Sequence, residues 1–194
     1  MVLKIVQVGD PVLRAAAQPV KPEEIRSGKI QALLEWMRET MYDAPGVGLA
    51  APQIGISLQV AVIEDKEELL KHMPAEHLAE RKRRPVPFQV LINPRIETSG
   101  ETVEFYEGCL SFEGYAALVP RFSEVRVDCL DHRGKEISFR AEGWHARIVQ
   151  HEVDHLNGTV YVDRMLTRSL STSAHLSRHW GDLPIDEVKE RLGL

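Results

Sequence analysis

Residues 150–155 read Gln-His-Glu-Val-Asp-His, and this run constrains the chain more than any other. Histidines four positions apart meet on one face when the backbone is helical, where they lie one turn apart and can share a metal ion. Glu152, directly after His151, then stands beside the open coordination position, where metal-assisted hydrolysis needs an acid/base. Trp144 and Ile148 continue the same stripe ahead of His151 and His155, so the helix is apolar where it starts and metal-binding where it ends. Such a stripe faces a core. Glu142-Gly143 opens this helix, and Gly158 stands where a left-handed C-terminal cap belongs.

Two imidazoles leave the third ligand open. In the extended zincin pattern a histidine lies three residues beyond a glycine, but after Gly158 that position is Tyr161, not a usual ligand. His175 and His179 lie further on, in a polar segment with little apolar patterning to hold them. Cys109, within Glu107-Gly108-Cys109-Leu110-Ser111, is the better candidate. A thiolate with two imidazoles leaves a tetrahedral ion one position for water, and Gly108 lets the backbone pass close by. The other cysteine, Cys129, sits in an apolar run and reads as a small buried residue. Three classes stay open at this point: a metallohydrolase with a cysteine ligand, a zincin-like endopeptidase, and a non-catalytic metal-binding module.

The segment Gly46-Val47-Gly48-Leu49-Ala50-Ala51-Pro52-Gln53-Ile54-Gly55 reads by itself as a turn. Its glycines permit close backbone approach, and Gln53 carries a neutral amide able to donate to a developing oxyanion. It lacks the Gly-Lys-Ser/Thr ending of a phosphate loop.

Elsewhere the pattern predicts an α+β domain. Asp10-Pro11 caps a short helical piece reaching about Ala16, and Ile30, Leu33, Leu34, Met37 and Met41 predict a helix from about Glu23 or Ser27 to Tyr42. Strands are expected over residues 59–64, 88–93, 102–105, 123–131, 136–141 and 159–163, with Asp131 to Lys135 as a hairpin turn. Residues 65–87 form a charged helical or irregular surface insertion, and a terminal helix spans 186–192.

At 194 residues one domain is expected, with a core over about residues 3–165 and a tail over 166–194. A net charge of −5 disfavours non-specific nucleic-acid binding, and the basic run Arg81 to Arg84 reads as a solvated loop or helix end. Two cysteines make no disulfide framework, no apolar run is long enough for a membrane span, and the N-terminus lacks the layout of a signal peptide. The expectation is a soluble intracellular protein.

Taken together, GVGLAAPQIG, EGCLS and QHEVDH resemble the three signature segments of the peptide deformylases, in that family's order. The resemblance runs from Val6 to about Met165 and implies a compact α+β fold with the histidine helix against the sheets. The implied activity is removal of the formyl group from the N-formylmethionine of nascent polypeptides. It implies Cys109, His151 and His155 as metal ligands, Glu152 as acid/base, and Gln53 with the Leu110 N–H as the oxyanion hole. Ferrous iron is the ion implied, with zinc, nickel or cobalt able to replace it. Val47, Phe105, Trp144 and Ile148 are chosen for the methionine pocket, Gly48 and Gly108 for backbone pairing with the peptide, and Arg121 to pair with Glu107. Phe112-Glu113-Gly114-Tyr115, Trp144 and the charged insertion resemble the organellar type, so a bacterial cytoplasm or an organelle matrix is implied as the compartment. The ribosome is an implied partner of the tail.

Overall fold

The helix carrying the histidine pair, Gly143–Leu156, lies against the sheet that carries Cys109. In the computed structural model, which describes residues 1–181 and 183–194, the strands are β1 (Gly48–Ala50), β2 (Val60–Asp65), β3 (Val86–Cys109), β4 (Phe112–Leu130), β5 (Glu136–Glu142) and β6 (Ser171–Thr172). The helices are α1 (Gly28–Asp43), α2 (Glu67–Leu70), α3 (Ala75–Glu80), α4 (Gly143–Leu156), α5 (Ser173–His179) and α6 (Ile185–Leu192). The sheet runs β1-β2-β3-β4-β5 with antiparallel ladders, and β6 pairs with β4.

α1 starts where Ser27 Oγ accepts from the Ile30 N–H, and it buries Ile30, Leu33, Leu34, Met37 and Met41 against Leu49, Val60, Val62 and Ile92. Short piece Pro11–Arg14 is a 3-10 turn capped by Asp10, whose carboxylate accepts from the Val12 N–H. α4 packs Ile148, Val149 and Val153 against Ala61, Leu91, Val125 and Val127. Its C-terminus is followed by Gly158 at φ 74°, as the sequence predicts; a side chain there would meet the Arg14 backbone at 2.8 Å.

Three expectations change. The strands predicted at 88–93 and 102–105 are parts of one 24-residue β3, because register shifts at Ile92/Arg95 and Ser99/Thr102 absorb Pro94 and Gly100 without ending the ladder. Residues 159–163 do not form a strand. Tyr161–Asp163 is a 3-10 turn in which the Asp163 carboxylate accepts from the Val160 N–H, a local bond that replaces a ladder partner. Gly48–Ala50 is a fully buried edge strand instead of a turn, too short for periodicity to reveal.

The insertion is tied to the site by its last residues. Arg81 O accepts from the Trp144 N–H at 2.9 Å, and Gly143 takes φ 58° where a side chain would meet Arg81 O at 2.7 Å. No helix among the described residues is long and apolar enough to cross a membrane.

Candidate metal centre

Three separate elements meet at the end of the α4 stripe. α4 presents His151 and His155 one turn apart. The β3–β4 hairpin, closed by the pair Cys109↔Phe112, carries Cys109 at its tip. A 3-10 turn, Ala51–Ile54, presents Gln53. One ligand atom from each of Cys109, His151 and His155 lies within 4.8 Å of the others, and Cys109 Sγ is 3.2 Å from His155 Nε2. Tetrahedral bonds of about 2.0–2.3 Å to sulfur and nitrogen place ligands at such separations. The donor set therefore fits a divalent ion. His175 and His179 are exposed on α5 and lie outside this cluster.

Gln53 is 1% exposed, and its orientation is fixed at the oxygen end, where Oε1 accepts from the Ala50 N–H at 2.9 Å. Its Nε2 therefore faces the hairpin tip, 3.5 Å from Cys109 Sγ and 3.4 Å from Ser111 Oγ. Glu152 is buried against Gly48, and its Oε2 has no hydrogen-bond partner. A buried carboxylate oxygen without a partner marks a place where a water or ligand belongs. Burial pushes the Glu152 carboxyl up to about 7, in the range where one group can both take and return a proton near neutral pH. Burial likewise holds His155 well below its ordinary value, in the neutral form that a metal requires.

Glu107 anchors the other side. Its Oε2 is 3.0 Å from His151 Nδ1, which leaves Nε2 of that ring for the ion. Arg121 forms a two-point pair with Glu107 at 3.0 Å, and Arg147 reaches Glu107 Oε1 at 2.7 Å. Arg121 also pairs with Asp154, which in turn accepts from Arg164. Burial alone would raise the Glu107 carboxyl, but the His151 hydrogen bond and the Arg121 charge hold it far below the usual carboxylate range.

The resemblance implies the pair of Glu107 with Arg121, whereas its bond to His151 and the parts of Arg147, Asp154 and Arg164 come from the structure alone. A signal was present: Phe105, Glu107 and Cys109 alternate along β3 onto one face, and Arg147, His151 and Asp154 share one face of α4.

An open cleft of about 840 Å³ leads to the centre, and Val47, Gly48, Gly108, Trp144 and Ile148 line it. Phe105 does not. It is buried edge-on to Trp144, with ring centroids 6.3 Å apart, and supports the indole from outside the cleft. Arg83, paired to Asp65 at 2.7 and 2.9 Å, stands 5.1 Å from the same indole. Leu110, between Cys109 and Ser111, also lines the cleft.

The polypeptide deformylase family model matches residues 2–170. Peptide deformylase 1A, chloroplastic, of Solanum lycopersicum is 47% identical over 191 residues, covering 98% of this chain and 67% of the relative. Peptide deformylase 1 of Streptomyces coelicolor is 47% identical over 179 residues, covering 92% and 80%. Among solved structures, the Met-Ala-Ser-bound class I type b peptide deformylase of Acinetobacter baumannii aligns with a TM-score of 0.75 at 35% identity, covering 85% of this chain and 99% of that one.

Proposed function

The chain belongs to the polypeptide deformylase family, metal-dependent hydrolases that remove the N-formyl group from nascent chains, and on that premise we propose roles for its residues. Cys109, His151 and His155 hold the ion. The observation that carries this reading is their convergence within 4.8 Å beside Glu152, whose Oε2 has no hydrogen-bond partner. A divalent cation there supplies the Lewis acidity that makes water nucleophilic near neutral pH. Ferrous iron is the ion we assign, with zinc, nickel or cobalt as replacements; a soft thiolate with two imidazoles accepts all four.

Glu152 accepts the proton of the attacking water and later returns it to the amine that leaves as the new N-terminus. The Gln53 amide and the Leu110 N–H donate to the oxyanion that forms from the formyl oxygen, each donor contributing about 2.7–4 kcal/mol in comparable hydrolases. Trp144, Ile148 and Val47 receive the methionine side chain, and Gly48 and Gly108 pair with the peptide backbone as an added strand. Phe105 backs Trp144. That the Acinetobacter baumannii relative is described with Met-Ala-Ser bound supports a peptide of this kind in the cleft.

The substrate class gives the compartment: a bacterial cytoplasm, or the matrix of a mitochondrion or plastid, where formylated initiators occur. The ribosome is a second partner, reached through the segment after Met165.

The test is formate release from formyl-Met-Ala by an anaerobic ferrous or nickel preparation. Glu152→Ala is expected to abolish release while retaining the ion. Cleavage of internal peptide bonds with formyl-Met-Ala left intact would overturn the assignment.

A further inference from the structure

The peptide joining Leu110 to Ser111 is held at both polar ends. Its N–H donates to Cys109 Sγ at 3.4 Å, and its carbonyl, the oxygen of Leu110, accepts from Gln7 Nε2 at 3.0 Å. The same carboxamide uses its oxygen to accept from the Glu113 N–H at 3.3 Å. Gln7 is exposed, yet both ends of its amide are engaged across the tip of the β3–β4 hairpin. On either side of it, the Val6 N–H donates to Gln53 O at 2.9 Å and the Val8 N–H to Ser111 O at 2.7 Å. Residues 6–8 therefore join the 3-10 turn that carries Gln53 to the turn that carries Cys109 and Leu110.

Hydrogen bonds in series reinforce one another. A donor on a carbonyl polarises that peptide and strengthens donation by its N–H. An N–H aimed at a thiolate draws charge from the sulfur, and such outer contacts tune the ion that the sulfur holds. Gln7 is connected to Cys109 as Glu107 is to His151, but through one intervening peptide. Fixing the Leu110 carbonyl also restricts rotation about the Leu110 backbone, whose own N–H faces the oxyanion in the reading above.

We propose that Gln7 is a positioning residue of the metal centre: its amide donor, through the Leu110–Ser111 peptide, keeps the Ser111 N–H on Cys109 Sγ. The inference rests on the assignment of Cys109 as a ligand. The competing role is a plain brace of the hairpin tip through Glu113. Gln7→Glu separates the two, because it keeps an acceptor for the Glu113 N–H but sets a carboxylate against the Leu110 carbonyl. Gln7→Ala removes both bonds.

The experiment uses the full chain loaded with cobalt(II) and reads the sulfur-to-cobalt charge-transfer band together with kcat and KM for formyl-Met-Ala. Expected for both variants are full cobalt content, a displaced band and a kcat about 10-fold lower, with KM unchanged. A Gln7→Glu variant with the parent band and kcat overturns the proposal, whatever Gln7→Ala does. Loss of cobalt or of cooperative unfolding in Gln7→Ala alone, with Gln7→Glu like the parent, overturns it in favour of the brace. Cys109→Ala is the control for the underlying assignment. If that variant keeps the band, the ligand reading itself fails; if it loses the band while both Gln7 variants match the parent, only the role of Gln7 fails.

Discussion

Gly48 is pressed against Glu152: a methyl group at residue 48 would stand 2.2 Å from Oε1 and 2.7 Å from Cδ of the carboxylate. The glycine is required by that approach, since its backbone is ordinary buried strand. Either the carboxylate or β1 must move in Gly48→Ala, and in the role proposed for Glu152 a displaced carboxylate loses much of its effect. The expected result is a kcat for formyl-Met-Ala at least about 100-fold lower with metal content unchanged. Parent-like turnover would show that Glu152 does not need its observed position.

Glu107 is the hub of a buried network, with His151, Arg121 and Arg147 all bonded to it. Glu107→Gln keeps the shape and an acceptor for the His151 ring but leaves Arg147 without a carboxylate and Arg121 with that of Asp154 alone. Breaking a buried pair in this way costs about 3–5 kcal/mol, and loss of an outer partner of a ligand lowers metal affinity about 10- to 100-fold. Denaturant unfolding and chelator competition measure the two effects separately. An unchanged chelator titration would mean that Glu107 serves the fold alone.

The α4 stripe was legible because helical spacing is a local property: Trp144, Ile148, His151 and His155 need only one element to align. Cys109 and Gln53 were legible as chemistry, from their residue types beside glycines. What joins them was not. That Glu107 meets His151 depends on the register of β3 against β4 and on where α4 crosses them, contacts between residues 44 apart in sequence. Gln7 lies further still, 103 residues from Leu110. The merging of two predicted strands into β3 had the same cause. Pro94 and Gly100 look like breakers locally, and only the partner strand shows that the ladder resumes after each bulge.

Glu152 also gives the metal-free protein a distinctive pH dependence. With its folded value raised from 4.5 to about 7 by burial, the folded chain keeps a proton that the unfolded chain has released. Stability therefore falls as pH climbs from about 4.5 to about 7 and then levels, a loss on the order of 3 kcal/mol from this group. Glu152→Gln is expected to remove that part of the slope, read as the difference between the two unfolding series in chelator. Parallel series would rule out a protonated Glu152 in the folded, metal-free chain.

The two cysteines are expected to differ in reactivity because one is protonated and shielded while the other is reached from the cleft. Cys129 is buried in β4, and burial, with the charges of Asp128 and Asp131, pushes its thiol up to about 11. At about pH 7.5 it is protonated and shielded, so alkylation there is slow. Cys109 is half-buried and lines the cleft, with Gln53 Nε2 and the Ser111 N–H directed at its sulfur. Iodoacetamide is expected to place one label on the metal-free chain, at Cys109, and none on the metal-loaded chain, where the sulfur lone pair is engaged. Cys129→Ala should label like the parent, and Cys109→Ala should remain unlabelled on the same timescale. Equal labelling rates with and without the ion would mean that the thiolate is not bound to it, and would return the third ligand to an open question.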